Sequence, residues 1–206
     1  MQQPCLRIFA GCNGSGKSTY SQVFSRDAVP FDYDKRFLKR YKAMPDSELR
    51  EEIAKNITSE EFLTEFNHAI LVNQTFAFET NLYPYPEKFV SEAKSNGFRL
   101  EMYFFCLKSI ELAKERVEIR AKNDGHDVDE KTIELKWKEG YKNINLHFND
   151  FDYLTFIDNS LDQEPTFLFE LIKNHENSFE LTQFVDELPE YTERRLPAIF
   201  DLIQTK

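Results

Sequence analysis

The sequence is poor in the residues that build several common protein classes. Its 206 residues include six glycines, three cysteines, three methionines and one tryptophan, and 26 Lys and Arg stand against 36 Asp and Glu, a formal net charge of −10. That shortage of cations argues against a nucleic-acid partner, because binding to a phosphate backbone depends on Lys and Arg displacing counterions. The one cation-rich stretch, Lys114, Arg116, Arg120 and Lys122, is interleaved with Glu111, Glu115 and Glu118 and reads as a solvated helix face. Cys5, Cys12 and Cys106 form an odd, widely spaced set with no metal-ligand spacing, which fits a reduced, cytoplasmic chain. No apolar run approaches the roughly 18 residues of a spanning helix, so no membrane residence is expected. Repeats, low-complexity tracts and linkers are also missing, so residues 1–206 are read as one domain.

What is present is a large apolar load, including 20 Phe and 9 Tyr, arranged in alternating strand-like and helix-like segments. Strands are expected at 6–10, 29–33, 75–80, 98–107 and 153–157. Helices are expected from Lys17 to about Ser25, from Asp34 and from Ser47. Thr58 with Glu61 reads as a capping box that opens a helix with Phe62, Phe66, Ala69 and Ile70 on one face. Pro86 suits the first residue of the next helix and Gly97 its end. Ser109 suits the N-cap of a helix to about Lys122, and Asn123-Asp124-Gly125-His126 breaks it before a long helix over about 129–148. Runs at 167–173 and 179–184 read as a hairpin, and 189–203 as one helix. This alternation specifies a three-layer α/β fold with a mainly parallel sheet, a helical lid at about 109–148, and a C-terminal antiparallel hairpin plus helix over 161–206, after a core at 1–160.

Half of the six glycines fall inside one eight-residue stretch, Gly11-Cys12-Asn13-Gly14-Ser15-Gly16-Lys17-Ser18. It matches GxxxxGK[ST], the phosphate-binding P-loop or Walker A motif, between a predicted strand and a predicted helix. Gly11, Gly14 and Gly16 let the backbone turn successive N–H groups, including those of Asn13 and Ser15, onto phosphates at a helix N-terminus. Lys17 is expected to reach the β- and γ-phosphates, Ser18 to ligate Mg²⁺ and Thr19 to help hold the α-phosphate. The nucleotide is read as ATP, with GTP as the alternative. No run of four apolar residues ending in aspartate, the Walker B signature of mechanical ATPases, occurs.

Three further segments carry polar groups where an acceptor would sit. Phe31-Asp32-Tyr33-Asp34 follows the second predicted strand; Asp34 is the candidate base for a substrate hydroxyl, with helix capping as its other reading and Asp32 as the fallback. Phe76-Ala77-Phe78-Glu79-Thr80-Asn81-Leu82 places Glu79 and Thr80 at a strand end, open to acceptor or Mg²⁺-water contacts. Ser109 to Arg120 places Arg116 and Arg120 four apart on one helical face, where both can approach a transferring phosphoryl group; Arg120 is the stronger candidate. Phe156-Ile157-Asp158-Asn159-Ser160 ends another strand, with Asn159 as a candidate contact to the base.

These segments, in this order, resemble the zeta toxin family of P-loop kinases. The P-loop is similar to the family's AGPNGSGKST with Cys12 in place of proline, 78–82 to its FETTLS, the 109–128 stretch to its ELAxxRVxxRVxxGGHxVP, and 158–160 to its DNS. The resemblance implies an ATP- and Mg²⁺-dependent kinase with Asp34 as base, a nucleotide sugar, UDP-N-acetylglucosamine, as the hydroxyl acceptor, a protein antitoxin as partner, and Gly125 with His126 forming the turn into the next lid helix. It departs from the family at IxRRYxRSLxN, where Leu135 and Glu139 replace arginines and Lys136 keeps a charge without the planar guanidinium fork. Lys136, Lys138 and Lys142 are candidates to compensate, and Trp137 and Tyr141 are read as core residues. The alternatives are a kinase of another sugar, nucleoside or metabolite, or a nucleotide-binding, toxin-like interaction protein of weak catalytic power.

Overall fold

Cys5–Ala10 (β1) is buried along its whole length, as a strand inside a parallel sheet must be. A computed structural model describes residues 3–25, 27–122 and 128–204. After β1 come α1 (Lys17–Phe24), α2 (Tyr33–Ala43), α3 (Arg50–Val72), β2 (Phe76–Thr80), α4 (Glu87–Ser95) and β3 (Arg99–Cys106). Next come α5 (Ile110–Lys122) and α6 (Glu130–His147), the pair expected from the sequence to serve as a lid, and the chain then runs through β4 (Tyr153–Asp158), β5 (Thr166–Lys173), β6 (Phe179–Gln183), α7 (Glu190–Arg195) and α8 (Pro197–Gln204). The strands form one sheet in the order β2-β1-β3-β4-β5-β6. β1 to β4 are parallel, while β5 and β6 add antiparallel to one edge. The mainly parallel sheet with a closing hairpin is therefore as the sequence predicts.

Because strand side chains alternate, the sheet has two unlike faces. Leu6, Ile8, Phe78, Leu100, Met102, Phe104, Leu154 and Phe156 belong to the main core with α3, α4 and α6. Phe9, Ala77, Phe105 and Ile157 form a smaller core against Tyr20 and Phe24 of α1. Chain order sends β2 to one side of β1 and β3 to the other, so the switch in connection falls at the carboxyl end of β1, where open α/β sheets bind ligands. A register shift between Phe156 and Ile157 bends the sheet just before Asp158 and Asn159.

Four local expectations are corrected. The strand over 29–33 is a single bridge: Phe31 N donates to Ala77 O at 2.8 Å, Phe31 O accepts from Glu79 N at 3.0 Å, and helix α2 starts two residues later. The cap of α2 is Asp32, which accepts from Lys35 N at 3.0 Å, so Asp34 is not the cap. Thr58 opens no helix but lies inside the 23-residue α3, its hydroxyl donating to Ala54 O at 2.8 Å, because tertiary packing carries the helix through a residue that could also have capped one. The final helix is broken into α7 and α8 at Pro197, whose ring and missing N–H cannot continue a helix but suit the first residue of a new one. The ends predicted for the other elements hold within a few residues: Gly97 follows α4 with φ +78°, Ser109 Oγ accepts from Leu112 N, and Asp129 caps α6. The predicted turn at 123–126, with Gly125 and His126, lies outside the described residues.

Candidate active site

Residues 11–18 wrap from the end of β1 into α1. Gly16 sits at the helix N-cap with φ +89°, and a Cβ there would meet Asn159 Nδ2 at 2.2 Å; a Cβ on Gly14, φ +77°, would meet Ala113 O at 2.8 Å. Both positions need glycine for conformation and for space. No side chain caps α1, so the N–H groups of Lys17 and Ser18 are open to an anion, whereas Thr19 N donates to Gly16 O at 3.1 Å and Ser15 N, expected to face the phosphates, donates to Cys12 O at 3.2 Å. Asn13 Oδ1 and Ser15 Oγ are buried without a hydrogen-bond partner among the described residues. A loop whose glycines take left-handed backbone and an uncapped helix start fit a phosphate chain.

Lys17 Nζ donates to Gly11 O at 2.7 Å, to Cys12 O at 2.9 Å and to Asn81 Oδ1 at 3.2 Å. Gly11 thus acts through its carbonyl, and the ammonium is held over the loop. Burial pulls the Lys17 pKa below the usual lysine range, with the Glu79 and Asp34 carboxylates acting the other way. Ser18 Oγ donates to Glu79 Oε2 at 2.6 Å and Ser21 Oγ to Glu79 Oε1 at 2.7 Å. Burial raises the Glu79 pKa above the usual carboxylate range; the two hydroxyls oppose this and the neighbouring Asp32 adds to it. The predicted metal residue Ser18 and the predicted strand-end acid Glu79 are therefore in direct contact. Thr80 Oγ1, in contrast, accepts from Leu82 N at 3.0 Å and shapes the turn after β2.

Lys17, Ser18, Thr19, Asp34, Glu79 and Thr80 line one cleft of about 860 Å³, together with Asn13, Gly14 and Gly16 of the loop. Arg116 and Arg120 of α5 and Lys136 of α6 line the same cleft. Gly11 and Ser15 are buried behind the loop and are not part of the lining. Arg120 is exposed and makes no ion pair among the described residues. Arg116 is differently placed, since its guanidinium donates to Asn159 O, Leu161 O and Asp162 Oδ1 and so ties the segment after β4. Asn159 Nδ2 donates to Ser15 O at 2.9 Å, bracing the P-loop from behind. Of the altered lid positions, Leu135 is exposed and Glu139 pairs with Lys142, while Trp137 and Tyr141 are buried in the main core as expected.

Sequence reasoning missed two functional contacts. Ser21, one turn after Ser18, holds the second oxygen of Glu79, a pairing that i,i+3 spacing could have suggested. Asn81 holds Lys17 from a different strand end, and only the fold brings those two residues together. The remaining wall of the cleft, from α2, α3 and the segment after β2, is aromatic. Phe62 is its centre, with ring centroids 4.9 Å from Phe89, 5.1 Å from Phe31 and 5.3 Å from Phe78, all edge to face.

No protein-family model and no curated protein matches the sequence. Solved structures do share the fold. A structure from the PezAT chromosomal toxin-antitoxin system of Streptococcus pneumoniae is similar with TM-score 0.60 at 12% identity, over 99% of this chain and 89% of that one. AvrRxo1-ORF1 in complex with AvrRxo1-ORF2, solved with ATP, is similar with TM-score 0.62 at 11% identity, over 98% and 76% of the two chains. A Chloroflexus aurantiacus protein assigned to the kinases is similar with TM-score 0.52 at 18% identity, over 66% and 79%. At these identities the likeness shows a shared fold.

Proposed function

We propose that the chain is an ATP- and Mg²⁺-dependent phosphotransferase that moves the γ-phosphoryl group of ATP to a hydroxyl of a small molecule. The observation that carries this reading is the convergence, in one cleft, of a P-loop with the Ser18–Glu79 contact and a carboxylate, Asp34, with no hydrogen bond or ion pair of its own among the described residues. A protein that only bound nucleotide would need the loop but not the free acid facing it.

Each residue has a definable task. The loop N–H groups and Lys17 bind the phosphates, with Lys17 exchanging its carbonyl partners for phosphate oxygens. Ser18 directly, and Glu79 through water, would hold Mg²⁺, an ion that keeps several waters and shares its shell with phosphates. Asp34 takes the acceptor proton, Arg120 stabilises charge on the transferring group, and Arg116 and Asn159 keep the nucleotide side of the cleft in shape.

The acceptor implied by the zeta toxin resemblance is a nucleotide sugar of the UDP-N-acetylglucosamine type, and the partner it implies is a protein antitoxin. A second acceptor reading, another sugar, nucleoside or metabolite, is favoured by one observation: the cleft wall opposite the P-loop carries rings and acids but no lysine or arginine. The test is incubation with ATP, Mg²⁺ and a metabolite panel, read as a mass gain of one phosphoryl group on an acceptor. Lys17→Ala should lower transfer by about three orders of magnitude, the scale of losing a key phosphate donor. ATP hydrolysis that never depends on an added acceptor would sink the kinase reading.

A further inference from the structure

The two ends of the cleft differ in charge and in polarity. Its cations are Lys17, Arg116, Arg120 and Lys136, all on α1 or on the lid helices α5 and α6. Of these, Arg116 is committed to the segment after β4. On the side built by α2 and its cap, α3, the end of β2 and the chain after it, the acids that line the cleft are Asp32, Asp34 and Glu79, and that side contributes no lysine or arginine to the lining. Arg36, the arginine of α2 nearest to them in sequence, is turned onto the Phe31 ring at 4.0 Å and gripped by Glu65. With Asp162 counted, four carboxylates already balance the four cations of the lining. Mg·ATP is itself an anion, so once it is seated the cleft has a negative balance, and a second phosphate-bearing molecule would meet like charge in a partly desolvated site.

The same wall is apolar. Phe62 and Phe89 are half-buried, Leu63 and Tyr83 are exposed, and all four face the cleft. Tyr33 also lines it, yet its hydroxyl donates to Lys55 O at 3.1 Å and contacts Ser59 Oγ at 3.0 Å, so the ring's polar tip is spoken for by α3. A ring or other apolar body seated here removes apolar area from water on both partners and can meet Phe62 or Phe89 in offset or edge contact.

From this charge balance and this wall we infer that the acceptor is an uncharged alcohol carrying an apolar or planar ring, and that the loaded cleft rejects acceptors bearing phosphate. The inference rests on the phosphotransferase reading. In the step it describes, the acceptor oxygen forms a bond to the γ-phosphorus as the bridging P–O bond to ADP breaks, and the hydroxyl proton passes to Asp34. The Asp34 proton then returns to solvent.

The test separates binding from transfer. The full chain, loaded with Mg²⁺ and the non-hydrolysable analogue AMP-PNP, is titrated by ligand-observed saturation-transfer NMR with uridine and 2-phenylethanol as uncharged ring-bearing probes. Uridine monophosphate and UDP-N-acetylglucosamine are the anionic probes, and glucose, uncharged but with a polar ring that is neither planar nor apolar, is the control. The uncharged ring-bearing probes should bind at least about tenfold more tightly than the others, the selectivity a pocket of this kind supplies. Equal or tighter binding of either anionic probe, or no binding of the uncharged pair, overturns the inference. Leu63→Lys, at an exposed wall position, should shrink the preference for uridine over its monophosphate by about fivefold; an unchanged preference would show that charge does not set the selection. Replacing the analogue by ATP then tests the other reading, since probes that bind but gain no phosphoryl group sink the kinase and leave the acceptor class standing.

Discussion

Two carboxylates at opposite ends of the sheet, one buried and one half-buried, are shifted in opposite directions. Glu101, near the start of β3, sits directly across from Arg7 of β1, accepts from Arg7 Nε at 2.8 Å and is also gripped by Arg99. Burial alone would raise its pKa, but the hydrogen bond and charge of Arg7, with Arg99 behind it, hold it below the usual carboxylate range. Glu79, at the end of β2, is half-buried and has two serine hydroxyls where Glu101 has two guanidinium groups, and the burial it does have raises its pKa. The structural acid is satisfied within the chain. The acid beside the P-loop lacks a cation partner of that kind, which is the state expected of a group reserved for a metal-bound water.

Breaking the satisfied end should have the largest effect on stability. Glu101→Gln leaves the buried Arg7 guanidinium without its carboxylate and should cost about 3 kcal/mol in denaturant unfolding, because removing one partner strands the other charge. A loss below about 1 kcal/mol, the size of a surface pair, would mean that Asp27 and Ser25 suffice to hold Arg7. At the other end the effect should be chemical. Asp34→Asn should lower transfer by roughly 100-fold while ATP binding persists. Asp32→Asn sharpens the contrast, since asparagine caps a helix about as well as aspartate; turnover should fall less than tenfold, and a larger fall there with normal turnover in Asp34→Asn would move the base to Asp32. Gly16→Ala comes next in size. Its left-handed backbone costs about 1–2 kcal/mol for any side chain, and the clash with the Asn159 amide should add to that, read as a lower thermal midpoint and weaker ATP binding.

How far the sequence reached follows the same division. The P-loop, the acids at the strand ends and the lid arginines were legible because each is set by local spacing next to a predictable element. The Phe31 bridge was not, since its partner β2 lies more than 40 residues away in sequence and only one residue pairs. Arg116 illustrates a second limit: four-residue spacing placed it on the correct helix face, but not the carbonyls after β4 that engage it. The acceptor wall was least legible of all. Phe62 and Phe89 look like ordinary helix core, and only the packing of α3 against α4 beside the P-loop cleft makes them part of its lining. The break at Pro197 was the reverse case, a clear local signal outweighed by an apolar run that looked continuous.

The smallest effect tests the raised acid itself. Because the folded Glu79 pKa lies above its unfolded value, the folded chain binds more protons than the unfolded chain across the interval between them. Stability contributed at this site therefore falls as pH rises from the ordinary carboxylate range through the folded value, and stays lower above it. Glu101 has the opposite sign, with stability present above the unfolded value and lost as pH falls through the depressed folded one. Glu79→Gln abolishes the loss at its own site, so its thermal midpoint should exceed that of the parent chain at about pH 7.5 and approach it at about pH 4, the range in which model carboxylates titrate. Transfer should fall in the same variant, the usual exchange between stability and activity at a site kept under strain. An identical pH dependence in the two chains would mean that Glu79 carries no penalty for its burial, and its contact with Ser18 would then be a structural bond rather than a held place for the metal.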